Sequence, residues 1–346
     1  MIGSRTFAPA LTAGLVLMLA AGAHAATKPR AKVEIKIATI ATDGSTWMKI
    51  MDQLDSEIRE KTAGEVGLKF YPGGVQGDDS VVLKKIRAGQ LHGGGFTGVG
   101  LGEIAPGLRV LEVPFTFRSV DEVHAVREKM EPDLEKMLSD AGFELIGWAD
   151  VGFVYLFTKA PVASIADLKK VKMWLWEGDP LAETLLRTVG VSPVPLPITD
   201  VVTSLQTGMI DGVYTSPMGC ISLQWFTRVG YMTDLPVTHA NGAVVVTRKI
   251  FDQISPSAQA VIKESAKKYF ALLNEATGKE GAASLTTLQQ KGIKSVALNE
   301  TDKNGFDAVG KTVREKLVGT LYTQQVLDQT LQTLAEVRSG KAGGKP

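Results

Sequence analysis

Between Val33 and Ile86 the chain reads strand, helix, strand, helix, and that alternation restricts its fold more than any other feature. Val33-Glu34-Ile35-Lys36-Ile37 alternates apolar and charged residues, the period of a strand with one buried face. Trp47, Ile50, Met51, Leu54 and Ile58 follow at helical spacing behind two capping candidates, Asp43 and Ser45, and Gly64 ends the run. Val66, Leu68 and Phe70 alternate again, Tyr71-Pro72-Gly73-Gly74 makes a turn, and Asp78 and Asp79 are placed to cap a helix carrying Val82, Leu83 and Ile86. Units of this kind imply a largely parallel sheet covered by helices. The pattern resumes after Gly142, with strands expected at 145–148, 154–157, 171–175 and 244–246, a helical turn at 165–168 and a helix at 181–189. Ser255 caps and Pro256 opens a long helical stretch towards Leu288, which Gly278 and Gly281 are expected to weaken; residues 306–337 are again mostly helical. Neither an internal repeat nor a low-complexity linker divides these α/β segments. The chain is therefore expected to cross more than once between two α/β lobes, and the cleft between such lobes is a natural small-molecule site.

A length of 346 residues allows about two domains, and a net charge of +1 gives no global field for nucleic acid or an anionic membrane. The single cysteine, Cys220, excludes an intrachain disulfide and reads as a packed core thiol. Residues 1–25 have the form of a secretion signal: Arg5, an apolar run from Phe7 to Ala21, and Ala23-His24-Ala25 as a small-x-small cleavage site. The run is too short to span a membrane well. The mature chain is expected to start near Ala26 in the periplasm, without stable membrane insertion, and to end in a disordered tail at 339–346.

Gly93-Gly94-Gly95-Phe96-Thr97-Gly98 contains the spacing G-x-G-x-x-G, but a dinucleotide fingerprint needs a strand before it and a helix after it. Here Gln90-Leu91-His92 precedes and more glycines follow, so close backbone approach in a cleft-lining loop is the expectation. His92, His124 and His239 show no metal-ligand spacing, no G-x-S-x-G elbow occurs, and His239 is expected to be a satisfied structural histidine. No catalytic set, cofactor or metal is expected, which favours a binding protein over an enzyme.

Several ordered motifs then carry a family resemblance. They are Phe70-Tyr71-Pro72-Gly73-Gly74 with Gly77-Asp78-Asp79, Ser164 to Lys169 with Val171-Lys172-Met173, Ser192-Pro193-Val194-Pro195-Leu196-Pro197, Leu205-Gln206-Thr207-Gly208, Asp211-Gly212 with Pro217, and Ile254-Ser255-Pro256. Over roughly Val33 to Val337 the chain resembles the DctP-type solute-binding proteins of tripartite ATP-independent periplasmic (TRAP) transporters. The resemblance implies a two-lobed periplasmic-binding-protein-like fold with hinge strands and a long lobe-spanning helix. It also implies a monomer that closes on a small ligand and delivers it to a membrane permease. Lobe I is expected to take 31–151 plus 241–281, and lobe II 152–240 plus 282–338.

The chain departs from the family where the ligand is held. Most relatives anchor a ligand carboxylate with an arginine on the strand matching 171–175; here that position is Trp174. A second arginine is common after a pair such as Gly152-Phe153, where Val154 stands. A buried carboxylate without a cation is costly, so an apolar, aromatic or neutral ligand is expected. The pocket is assigned to Trp47, Thr97, Phe115, Phe153, Val154, Trp174, Trp176, Tyr214, Thr215 and Asn241. The alternatives are aromatic faces holding a cation, an organic acid anchored by another basic residue such as Lys172 or Arg187, or a periplasmic subunit serving a partner other than a TRAP permease.

Overall fold

The computed structural model describes residues 31–340, with Met1 and Gly3; the signal at 1–25 and most of the tail at 339–346 lie outside the described residues. Ten strands form: β1 Val33–Thr39, β2 Val66–Tyr71, β3 Gly93–Thr97, β4 Phe143–Thr158, β5 Trp174–Trp176, β6 Val194–Leu196, β7 Gly212–Thr215, β8 Tyr231–Thr233, β9 Thr238–Thr247 and β10 Lys294–Val296. Eight of them make one sheet in the order β10-β8-β4-β9-β3-β1-β2, with β7 also paired to β4; β5 and β6 form a separate parallel pair. β1 is parallel to β2 and β3, as the repeating strand–helix units require, while β9 runs antiparallel to both β3 and β4.

The apolar sides of the first two units do what their spacing predicts. Ile35, Ile37, Met51, Leu54, Ile58, Val66 and Leu68 share one core with Val244, Val246 and the first half of the helix Pro256–Gln290. Ser45 caps the helix Thr46–Lys61 and Asp78 caps Asp79–Arg87, each side chain accepting a backbone N–H. A second core, of Trp174, Trp176, Ile198, Val213, Trp225 and their neighbours, lies under the far end of the same helix with Leu288.

Three sequence expectations need correction. Residues 93–97 are not a loop but strand β3, followed by the helix Gly98–Ile104. A Cβ at Gly93 would overlap the carbonyl of Val245, so glycine lets β3 lie between β1 and β9. The strands expected at 145–148 and 154–157 are parts of one strand of 16 residues, continued through two register shifts, between Leu145 and Gly147 and between Asp150 and Gly152. Such bulges bend a strand without ending it. The strand expected at 171–175 is confined to Trp174–Trp176. The long helix expected from Pro256 towards Leu288 forms as Pro256–Gln290, and it docks on β4 where Asn274 Nδ2 donates to Trp148 O at 3.1 Å and Asn274 Oδ1 accepts from Asp150 N at 2.9 Å.

Candidate functional site

β4 and β9 lie side by side, and residues of β3, β5 and β7 face a space beside them. The side chains at that junction enclose a cavity of about 110 Å³. Trp174 is placed by its register with Val194 and by an indole N–H that donates to Leu196 O at 2.9 Å. Its ring stacks on Tyr214 at 5.0 Å and 24°, and meets Trp225 edge-on at 5.2 Å. Tyr214 lies opposite Leu156 on β4, and its hydroxyl accepts the N–H of Trp176 at 3.0 Å. Val154, Leu181 and Leu185 extend the apolar wall. Trp174 is 1% exposed, so most of its ring is packed inside the protein rather than offered to a ligand.

A charged group sits in this apolar wall. Arg109, on the 3-10 turn Pro106–Glu112, places Nη2 3.0 Å from Asp179 Oδ1 and Nε 3.0 Å from Glu112 Oε2. Asp179 also caps the helix Pro180–Thr188, its Oδ1 accepting from the N–H groups of Leu181 and Ala182 at 3.1 and 3.2 Å. Glu112 Oε1 accepts from Asn241 N at 2.6 Å. Its carboxylate occupies the space where a side chain at residue 98 would stand, so Gly98 is needed there for room. Burial pushes Glu112 above the ordinary carboxylate range although Arg109 pulls the other way. For Arg109 burial acts downwards, but Asp179 and Glu112 outweigh it and hold the guanidinium charged. Its Nε is too poorly aligned with Glu112 for a hydrogen bond and has no such partner among the described residues.

Thr97, Val154, Trp174, Trp176, Tyr214 and Thr215 are brought together around this cavity. Thr97 is held by Asp79, whose Oδ2 accepts from Thr97 N, Thr97 Oγ1 and Gly100 N at 3.0, 2.6 and 3.1 Å. Burial drives Asp79 up to about 6 against those hydrogen bonds. Trp47 lines an adjoining, wider cleft of about 550 Å³ with Ile40, Lys49 and Glu280, which meets the cavity at Thr97, Val151 and Ser216.

Besides Trp47, three expected residues do not line the cavity. Phe153 faces a third space of about 200 Å³ under the long helix, edge-on to His239 at 5.1 Å. Phe115, at φ +54°, packs on Phe306 and donates its N–H to Val237 O. Asn241 is committed within the protein: Nδ2 donates to Leu111 O and His239 O, Oδ1 accepts from Arg127 Nη1, and its own N–H donates to Glu112 Oε1. His239 is fully buried, yet neither ring nitrogen has a partner among the described residues, so it is structural but not satisfied; burial lowers it to about 4. Lys172 and Arg187 are surface residues paired with Asp211 and Glu183. The basic residue in the cavity is Arg109, and sequence reasoning missed it with Glu112 and Asp179. No described helix is long and apolar enough to cross a membrane, and the described residues hold no cluster of three metal-ligating side chains.

The profile of the bacterial extracellular solute-binding proteins of family 7, DctP, matches residues 37–319. The chain belongs to the DctP family. It is 25% identical over 269 residues to the 2,3-diketo-L-gulonate-binding periplasmic protein of Escherichia coli, covering 75% of this chain and 80% of that protein. A TRAP periplasmic solute-binding protein of Xanthobacter autotrophicus, solved with β-D-galacturonate, superposes with a TM-score of 0.81 at 18% identity, covering 87% of this chain and 99% of the other. A Haemophilus influenzae counterpart with L-gulonate gives 0.81 at 18% identity, over 88% and 99%. DctP proteins are ligand-binding receptors, so this chain is a receptor and not an enzyme. The small molecules held by these neighbours are sugar acids, and the DctP cavity here contains a buried guanidinium. The expectation of a hydrophobic ligand rested on the absence of a cationic side chain from the pocket, and Arg109 removes that ground.

Proposed function

We propose that this DctP chain is the periplasmic binding subunit of a TRAP transporter, taking a small organic acid into the Arg109 cavity and handing it to a membrane permease. The supporting observation is that Arg109 is the one basic residue among the described residues lining the cavity. A guanidinium offers a carboxylate paired, charge-assisted hydrogen bonds, and Arg109 supplies by a different route the charge that relatives carry at the position of Trp174.

In this reading the chain is exported by removal of residues 1–25 and works as a monomer of two lobes, 31–151 plus 241–281 and 152–240 plus 282–338. The division falls where β4 and β9 shift register, between Asp150 paired with Asn241 and Gly152 paired with Ala240. A strand pair with an irregularity at that point can bend there, and bound ligand then favours the closed form.

The test is mass spectrometry of small molecules released by denaturing the purified mature chain, followed by calorimetric titration with a panel of organic acids. Release or binding of a small carboxylic acid, lost in Arg109→Leu, is the expected result. A protein that releases none and binds none of the panel would sink the reading.

A further inference from the structure

We infer that the solute carries a positively charged nitrogen beside its carboxylate, making it an amino-acid-like zwitterion rather than a sugar acid. The inference rests on the solute-binding reading above and deepens it.

Charge is the first argument. The ionisable groups on the cavity wall, apart from Tyr214, are Arg109, Glu112 and Asp179. With all three ionised they sum to −1, and a ligand bringing only a carboxylate makes the enclosure −2. An uncompensated charge in a site walled by Trp174, Trp176, Val154 and Leu185 is strongly disfavoured. A zwitterion adds no net charge, and its ammonium can share the second carboxylate while its own carboxylate shares the guanidinium.

The unused hydrogen-bonding capacity has the same polarity. Asp179 Oδ1 is occupied by two backbone N–H groups and Arg109, whereas Oδ2 has only a long 3.5 Å contact from the Tyr214 hydroxyl. Arg109 Nε, on a side chain 4% exposed, lacks an aligned acceptor. A weakly used acceptor and a donor without an aligned partner therefore sit on one guanidinium–carboxylate pair. That suits a ligand offering a cationic N–H group and an anionic oxygen a few bonds apart.

Three of the wall's hydroxyls are already engaged, which leaves fewer partners for a polyhydroxylated acid. Thr97 Oγ1 donates to Asp79 at 2.6 Å, and Thr238 Oγ1 donates to the carbonyl of Glu112 at 2.6 Å. Ser216 Oγ already accepts the N–H of Gly219 at 3.1 Å. Each sugar hydroxyl buried among indole and aliphatic carbons without a partner lowers affinity.

The test uses the mature chain and matched ligand pairs in calorimetry: free amino acids, cyclic imino acids and cyclic amidino acids, each beside its N-acetylated or deaminated acid, with galacturonate and gulonate included. The expected result is a zwitterion that binds and weakens roughly tenfold or more when the nitrogen loses its charge, the scale of one lost charge contact. Glu112→Gln should weaken the zwitterion and leave its deaminated partner no weaker; if that variant does not fold, the ligand pairs on the unaltered protein decide. A deaminated acid or sugar acid binding as well as the best zwitterion overturns the inference while leaving the organic-acid reading intact. Binding by neither set overturns both.

Discussion

At the scale of single residues, the cavity depends on the Arg109–Glu112–Asp179 group, and its members are coupled. Arg109→Leu leaves two buried carboxylates facing an apolar wall, a loss of about 3–5 kcal/mol by the usual cost of breaking one side of a buried pair. Urea titration at neutral pH measures it. Glu112 has its pKa raised in the folded protein, so folding favours its protonated form and its contribution is lost as pH rises. The deficit of Arg109→Leu should therefore shrink on acidification. His239 has the opposite sign. Its folded pKa is depressed from 6.5 to about 4, so its contribution is complete above pH 6.5 and is lost as pH falls towards 4. His239→Phe should flatten the stability–pH curve in that window, removing a change of about 3 kcal/mol at most. Trp174 was legible from sequence because a motif fixed its position. Arg109 was not: in Leu108-Arg109-Val110-Leu111-Glu112 it reads as an ordinary short-range ion pair. Its buried character comes from Asp179, which only the packing of the helix Pro180–Thr188 brings near.

At the scale of elements, the sequence was clearest where periodicity and caps agreed, as in β1, β2 and the helices capped by Ser45, Asp78 and Ser255. It was obscure where a strand is made by its neighbours. β3 has four polar or missing side chains in five and is a strand because β1 and β9 hydrogen-bond to it on both sides. β4 looked like two strands because its bulges interrupt the alternation at Gly147 and Gly152. The helix Pro256–Gln290 was legible from its Ser255 cap and Pro256 start, and it continues through both glycines as expected. A Cβ at Gly278 or Gly281 would meet no other atom within 4 Å. Each Gly→Ala change there should stabilise the protein by about 0.5–1 kcal/mol, seen as a higher urea midpoint at unchanged slope. Gly98→Ala should do the reverse, because the atom it meets is the buried Glu112 carboxylate, which cannot withdraw without giving up Arg109 and Asn241.

At the scale of the whole molecule, the proposed closure requires a place where the packed cores can move relative to one another. The core of the first two strand–helix units and the Trp174 core both take residues from β4 and the long helix, and the cavity lies beside β4 and β9. Near the cavity, β4 carries Gly152 at φ +101°, a conformation that side chains beyond glycine rarely adopt. Asp150, two residues earlier, is bonded to His124 and to Arg127 at 2.7 Å, which outweigh burial and hold its carboxyl down at about 2. One side of the shift is thus fixed by ion pairs and the other has glycine's freedom, an arrangement suited to bending at a single point. If the proposed lobes close around the solute there, saturation should reduce the radius of gyration in small-angle X-ray scattering. It should also add about 2.7 kcal/mol of stability at a ligand concentration one hundred times Kd. Gly152→Ala strains that point in every state that keeps φ positive. It should lower stability by about 1–2 kcal/mol and, if the bend changes this torsion, alter affinity beyond what stability explains. An affinity equal to that of the unaltered protein, with the same change in radius, would place the pivot elsewhere, in the long helix at Gly278 and Gly281.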